Sequence, residues 1–196
     1  METALTLLFA IGVIIAVHLA LTYNGLVLVK NNVAKAWANI DVLLKQRHDE
    51  LPKLIEVCKQ YKQFEQETLV RVAEARSRVA AAQDARNLAA LGPAEGALRA
   101  GVAQVFAIVE AYPDLKSNQS FMQLQSRITG LENAIADRRE YYNDSVNVNN
   151  IRIQQFPEAF VARAFGFKEA RMLDFDAQET ADVDVKSLFI SGESAG

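Results

Sequence analysis

Between positions 41 and 58 stand Asp41, Arg47, His48, Asp49, Glu56 and Cys58, side chains of types that can do chemistry. An imidazole beside carboxylates can move a proton, and a thiolate can attack an electrophile. Helical spacing would let His48, Asp49 and Glu56 meet on one surface, although a solvated face is the plainer reading. Cys58 falls on an apolar stripe, where a free cysteine is far more often core than nucleophile. Asp41, Arg47 and Asp49 either form interhelical ion pairs or present an interaction surface, and the first is favoured. Arg47 lies close to the apolar stripe, so a carboxylate partner is expected for it. Glu65, Glu132 and Asp137 are the candidates. His18 and His48 are thirty residues apart, with no HExxH or paired-cysteine spacing, so no metal site is expected. There is neither a Gly-rich phosphate loop nor a GxSxG elbow, and no catalytic or cofactor-binding residue is assigned.

The elements that must position these residues read as helices throughout. Pro and Gly are scarce among the 196 residues, and good helix formers are abundant. The net charge of -3 leaves no nucleic-acid footprint, and the single cysteine requires no oxidising compartment. Residues 3–29 contain no Asp, Glu, Lys or Arg, and their core, "ALTLLFAIGVIIAVHLALTY", supplies the ~20 apolar residues that a bilayer core needs as helix. The run is longer than the h-region of a signal peptide and lacks a basic n-region, so an uncleaved anchor over 1–23 is expected. Tyr23 stands where interfacial aromatics stand. Lys30, Lys35, Lys45 and Arg47 follow the span. The positive-inside rule then gives a single-pass cell (inner) membrane protein with its C-terminal domain in the cytoplasm. Gly12 in the span offers a route to a homo-oligomer.

Beyond the anchor, Val33, Trp37, Ile40, Leu44, Leu51, Leu54, Ile55 and Cys58 recur at helical spacing. Pro52 interrupts, either as a kink or as the start of a new helix capped by Asp49, with the kink preferred. Helical character resumes at Lys53 and runs to about Leu91, where "GPAEG" predicts a break. A third helix carries Leu98, Val102, Val105, Phe106 and Val109 on one face. "YPDLKSN" is the next turn. A fourth helix over about 119–155 carries Phe121, Leu124, Ile128, Leu131 and Ile135, with Arg127, Glu132, Asp137, Arg138 and Arg139 on its wet face. Pro157 then stops this helix or begins a short one. "FPEAFVARAFGFKEARM" mixes Phe156, Phe160, Phe165 and Phe167 with cations. These aromatics suit a membrane interface, or they cap the open end of the core. Residues 174–196 form an acidic tail expected to lack fixed structure. Within it "VDVKSLFI" is an apolar island that could dock elsewhere.

One pattern occurs twice. "YNGLVLVKN" begins at Tyr23 and "YNDSVNVNN" at Tyr142, both reading Tyr-Asn-x-x-Val-x-Val-x-Asn. In an up-and-down bundle the start of the first helix and the end of the fourth share the membrane-proximal end. Tyr23, Asn24 and Asn31 are then expected to clasp Tyr142, Asn143 and Asn150. The amides would pair across the seam, Asn24 toward Asn150 and Asn31 toward Asn143.

The segments "YNGLVLVKNNVAKAWANIDVLLKQRHDELPKLIEVCKQYKQFEQETL", "AYPDLKSNQSFMQLQSRITGLENAIADRREYYND" and "QFPEAFVARAFGF" together resemble the LemA family of bacterial membrane-anchored proteins, over about residues 5–175. The resemblance implies one N-terminal membrane helix and an antiparallel helical bundle, and it implies no reaction. Family members often carry an aromatic just before the last Asn of the late motif, where this chain has Asn149.

The expected fold is therefore all-α: a transmembrane helix, then an antiparallel up-and-down four-helix bundle with long, kinked helices over 24–173. The expected function is a membrane-anchored interaction or scaffold protein with unidentified protein partners. The alternative is a membrane-tethered enzyme, such as a hydrolase, with a polar site around Arg47 and Asp49.

Overall fold

The computed structural model describes residues 1–61 and 64–173. Among them the secondary structure is all-helical: α1 (Glu2–Lys59), α2 (Gln66–Asp84), α3 (Leu88–Val109), the single turn α4 (Pro113–Lys116), α5 (Gln119–Gln154) and the short α6 (Glu158–Ala164). The acidic tail and its apolar island lie outside the described residues.

The helix α1 is 58 residues long. Residues 1–21 are exposed on every side and are long and apolar enough to cross a membrane. From Thr22 onward one face is covered. Thr22, Leu26, Val29, Ala36, Ile40, Leu44, Arg47, Leu51, Leu54 and Cys58 are buried at steps of three, four and seven, the spacing that keeps one stripe on a partner helix. Pro52 sits inside the helix without ending it, so Asp49 caps no new helix.

That partner is α5, which runs antiparallel to α1. Leu26 packs with Ile153, the Trp37 ring meets the Tyr142 ring edge-on at 5.9 Å, and the Arg127 guanidinium reaches Glu50 at 2.7 Å. The α2 helix also runs against α1: the Gln83 amide donates to Asp41 Oδ1 at 2.6 Å, and Arg76 Nε donates to the His48 carbonyl at 3.0 Å. The α3 helix packs closely on α2 at Gly101, where a Cβ would stand 3.2 Å from Val72 Cγ2. One continuous core draws on α1, α2, α3 and α5, with Phe121, Leu51, Leu54, Leu98, Val102 and Ile128 fully enclosed.

Two expected boundaries move. The helix expected from Lys53 to Leu91 is split, because α1 stops at Lys59, Phe64 lies in the core, and α2 begins at Gln66. The break expected at "GPAEG" lies earlier, at 85–87. There Arg86 takes φ +48°, its N–H bonds the Gln83 carbonyl, and the Asn87 N–H bonds the Ala82 carbonyl. These are the two bonds of a Schellman ending, made with arginine where glycine is usual. Asn87 then caps α3 by accepting from the Ala90 N–H at 3.2 Å. The chain has already turned, so Gly92 and Pro93 fall inside α3.

Candidate functional site

Two polar constellations are built into the helices. The first lies in the core. Arg47 on α1 and Glu95 on α3 are 3% and 6% exposed, and Arg47 Nη2 donates to both Glu95 oxygens at 2.5 and 2.6 Å. The hydrogen-bonded partner is thus Glu95; of the three expected candidates Glu132 lies close enough to feel the Arg47 charge. Its place could have been read from spacing, since Leu91, Glu95, Leu98, Val102, Val105 and Val109 form one buried stripe of α3. Arg99, Glu132, Ile135 and Arg139 complete a small cavity around the pair. Arg139 is buried and Glu132 half-buried, so neither belongs to the wet face expected for α5. Arg139 continues the Ile135, Tyr142 and Val146 stripe.

Burial pushes the Glu132 carboxyl above the ordinary carboxylate range, although the nearby Arg47 and Arg99 guanidiniums pull the other way. Glu132 Oε1 and Arg47 Nε are buried without a hydrogen-bond partner. His48 lies outside this cluster, with its ring Nε2 2.6 Å from Arg76 Nη2. Burial, then Arg76, lowers its pKa against the pull of Asp49 and Asp84, which favours the neutral ring that can accept from the guanidinium. Cys58 is fully buried and its thiol is pushed up to about 12 by burial, so it behaves as core.

The stretch 41–49 therefore divides among three places. Asp41 holds Gln83 and lies 3.6 Å from the Lys45 ammonium. Arg47 faces the core. Asp49 is exposed beside Glu50, Lys53 and Arg127 in a shallow depression. Arg47 and Asp49 thus do not share an open cleft.

The second constellation surrounds the segment after α6. Asn150 donates to the Ala170 carbonyl and accepts from the Ala170 N–H, both at 2.9 Å. Asn143 does the same for Leu173, at 3.0 and 2.9 Å. Tyr142 Oη donates to the Arg171 carbonyl at 2.9 Å, and Gln154 donates to Glu169 at 2.7 Å. Seven helical residues rise ~10.5 Å, and three extended residues span ~10 Å. Asn143 and Asn150 are therefore spaced to grip every third residue of an extended chain running antiparallel to α5. Each amide offers one donor and one acceptor, as the edge of a strand would. Leu173 anchors the segment in the core. Asn149 is buried and donates to Asn150 Oδ1 at 3.1 Å, which fixes that amide's orientation.

The amide seam expected between the two Tyr-Asn motifs gives way to this arrangement. Tyr142 opens its motif on the buried stripe of α5, whereas at the start of the α1 motif the buried residue is Thr22, one before Tyr23. One residue is a rotation of ~100° about a helix, and it leaves Asn24 and Asn31 exposed. Tyr23 instead meets the rings of Phe165 at 4.9 Å and Phe167 at 5.8 Å. Both tyrosines thus hold the segment that follows α5. Gly25 leaves room for the Arg152 guanidinium, which a Cβ would meet at 2.8 Å. Phe156, Phe160 and Phe165 are exposed and Phe167 is half-buried, so the first three do not cap the core.

A family model described as the LemA family matches residues 36–187. The chain belongs to the LemA family. A protein named LemA from Metamycoplasma hominis is 26% identical over 166 residues, which are 84% of this chain and 74% of that one. Two proteins named magnetosome protein MamQ, from Paramagnetospirillum magneticum, are each 33% identical over 81 residues, 41% of this LemA-family chain. The match spans 30% of each MamQ chain.

Proposed function

We propose that this LemA-family chain is a membrane-anchored scaffold without catalytic activity. In this reading residues 1–23 cross the cell membrane once, and residues 24–173 stand in the cytoplasm as an antiparallel up-and-down bundle of α1, α2, α3 and α5, with a bend in α1 at Pro52. Its surfaces hold protein partners near the bilayer. One observation carries the reading: the bare apolar stretch and the domain core belong to a single unbroken helix. A partner bound to the domain would be held at a set height above the membrane, because a helix transmits position where a flexible linker would not. The names of the relatives support the same class, since none names a reaction. The division of Arg47 from Asp49 removes the main support for a hydrolytic site.

Alkaline extraction combined with proximity labelling in intact cells tests the proposal. The chain is expected to stay with the membrane and to label one recurring set of proteins. Release by alkali contradicts it. So does turnover of a substrate by the purified folded protein that disappears in Asp49→Ala.

A further inference from the structure

We infer that α6 and its flanks form a second membrane contact, a phenylalanine foot that rests in the lipid headgroup layer beside the span. The inference depends on the anchor reading given above and adds a surface to it. Phe156, Phe160 and Phe165 are 78%, 67% and 65% exposed. Three such rings within ten residues make an apolar patch that water disfavours and a bilayer interface accepts.

Their height on the molecule is set by contacts on the opposite side of α6. Val161 and Ala162 are buried against Leu26 and Ile153, and just past the end of α6 one side of the Phe165 ring lies tilted against Tyr23, 4.9 Å between centroids. The exposed apolar stretch of α1 ends at this same level, since Thr22 is its first buried residue. Residues 4–23 as helix are ~30 Å long, the thickness of the hydrocarbon core. A span that fills the core therefore brings α6 into the polar layer, which is ~5–7 Å deep on each side.

The charges match that position. Among the described residues of the segment, Arg163, Lys168 and Arg171 are exposed against one exposed carboxylate, Glu169, and Lys30 lies over the Phe167 ring with its ammonium 5.9 Å from the centroid. Cations among aromatic rings favour anionic headgroups. The occupant of the patch is thus an anionic lipid surface. The foot would fix the rotation and tilt of the domain on the bilayer, which a single span alone leaves free.

Single tryptophans in the full-length chain test the foot. In a Trp37→Phe background, Phe160→Trp, Phe165→Trp, Tyr141→Trp and Leu8→Trp are each reconstituted in phosphatidylcholine–phosphatidylglycerol vesicles brominated in the acyl chains. Leu8→Trp reports the span, and Tyr141→Trp reports the exposed α5 surface farther up the domain. Phe160→Trp and Phe165→Trp are expected to lose emission and shift to the blue, between the two references. Replacing phosphatidylglycerol with phosphatidylcholine should weaken the effect. Emission at 160 and 165 equal to that of Tyr141→Trp, with Leu8→Trp quenched, overturns the foot and leaves the anchor standing. An unquenched Leu8→Trp overturns both. The double variant Phe156→Ser, Phe160→Ser should keep its melting temperature in detergent, because these two rings touch each other and cover no core. A large drop would mean that they pack inside the domain and would overturn the inference.

Discussion

Arg47 ties α1 to α3 inside the core through Glu95. A buried guanidinium deprived of its carboxylate keeps its desolvation cost and loses its partner. Glu95→Ala is therefore expected to destabilise the folded domain by about 3–5 kcal/mol, read as a fall in the denaturation midpoint in detergent. Replacing both residues with methionine should cost much less, since no charge is then stranded. Glu132 gives a separate pH signature. Its folded pKa is raised by burial, so the folded state holds that proton more tightly than the unfolded chain. The group thus weakens the fold as pH rises from the ordinary carboxylate range through the raised value, and this cost disappears on acidification. The stability of the unaltered protein minus that of Glu132→Gln should become more negative along that rise. A difference that is flat with pH would contradict the assignment.

At the level of elements, two connections repay substitution. Arg86 holds a left-handed backbone in which its Cβ costs ~1–2 kcal/mol. Arg86→Gly should recover about 1 kcal/mol, measurable by chemical denaturation, because glycine accepts this position of the Schellman ending. The asparagine ladder is a local device, and its loss should be felt locally. Asn150→Ala is expected to speed hydrogen exchange at the Ala170 amide while core amides of α2 keep theirs. Such contrasts also show what could be read before the fold was known. The stripes of α3 and α5 were legible because burial on one face imposes a three-and-four spacing. The end of α2 was not, since an arginine stands where the usual glycine signal would be. Nor was the role of Asn143 and Asn150, because their partner is backbone and backbone carries no sequence signal. The repeated Tyr-Asn pattern drew attention to the right segments. A one-residue offset between the two buried stripes decided which faces it could present.

Across the whole molecule, one helix joins two environments: a stretch exposed on all sides and a stretch sealed into a core. The apolar stretch was plain in composition, and so was the helical class of the remainder. The division of Asp41, Arg47 and Asp49 among separate surfaces was hidden, because it depends on how α2, α3 and α5 surround α1. The membrane reading is the central claim, and cysteine accessibility tests it most directly. Cys58 is buried with a raised pKa, so it should contribute little background. In intact cells a membrane-impermeant maleimide should leave both Leu8→Cys and Val70→Cys unmodified. After permeabilisation that leaves the bilayer in place, Val70→Cys should react and Leu8→Cys should stay protected. Modification of Val70→Cys from outside intact cells, or of Leu8→Cys in the native membrane, would contradict the account.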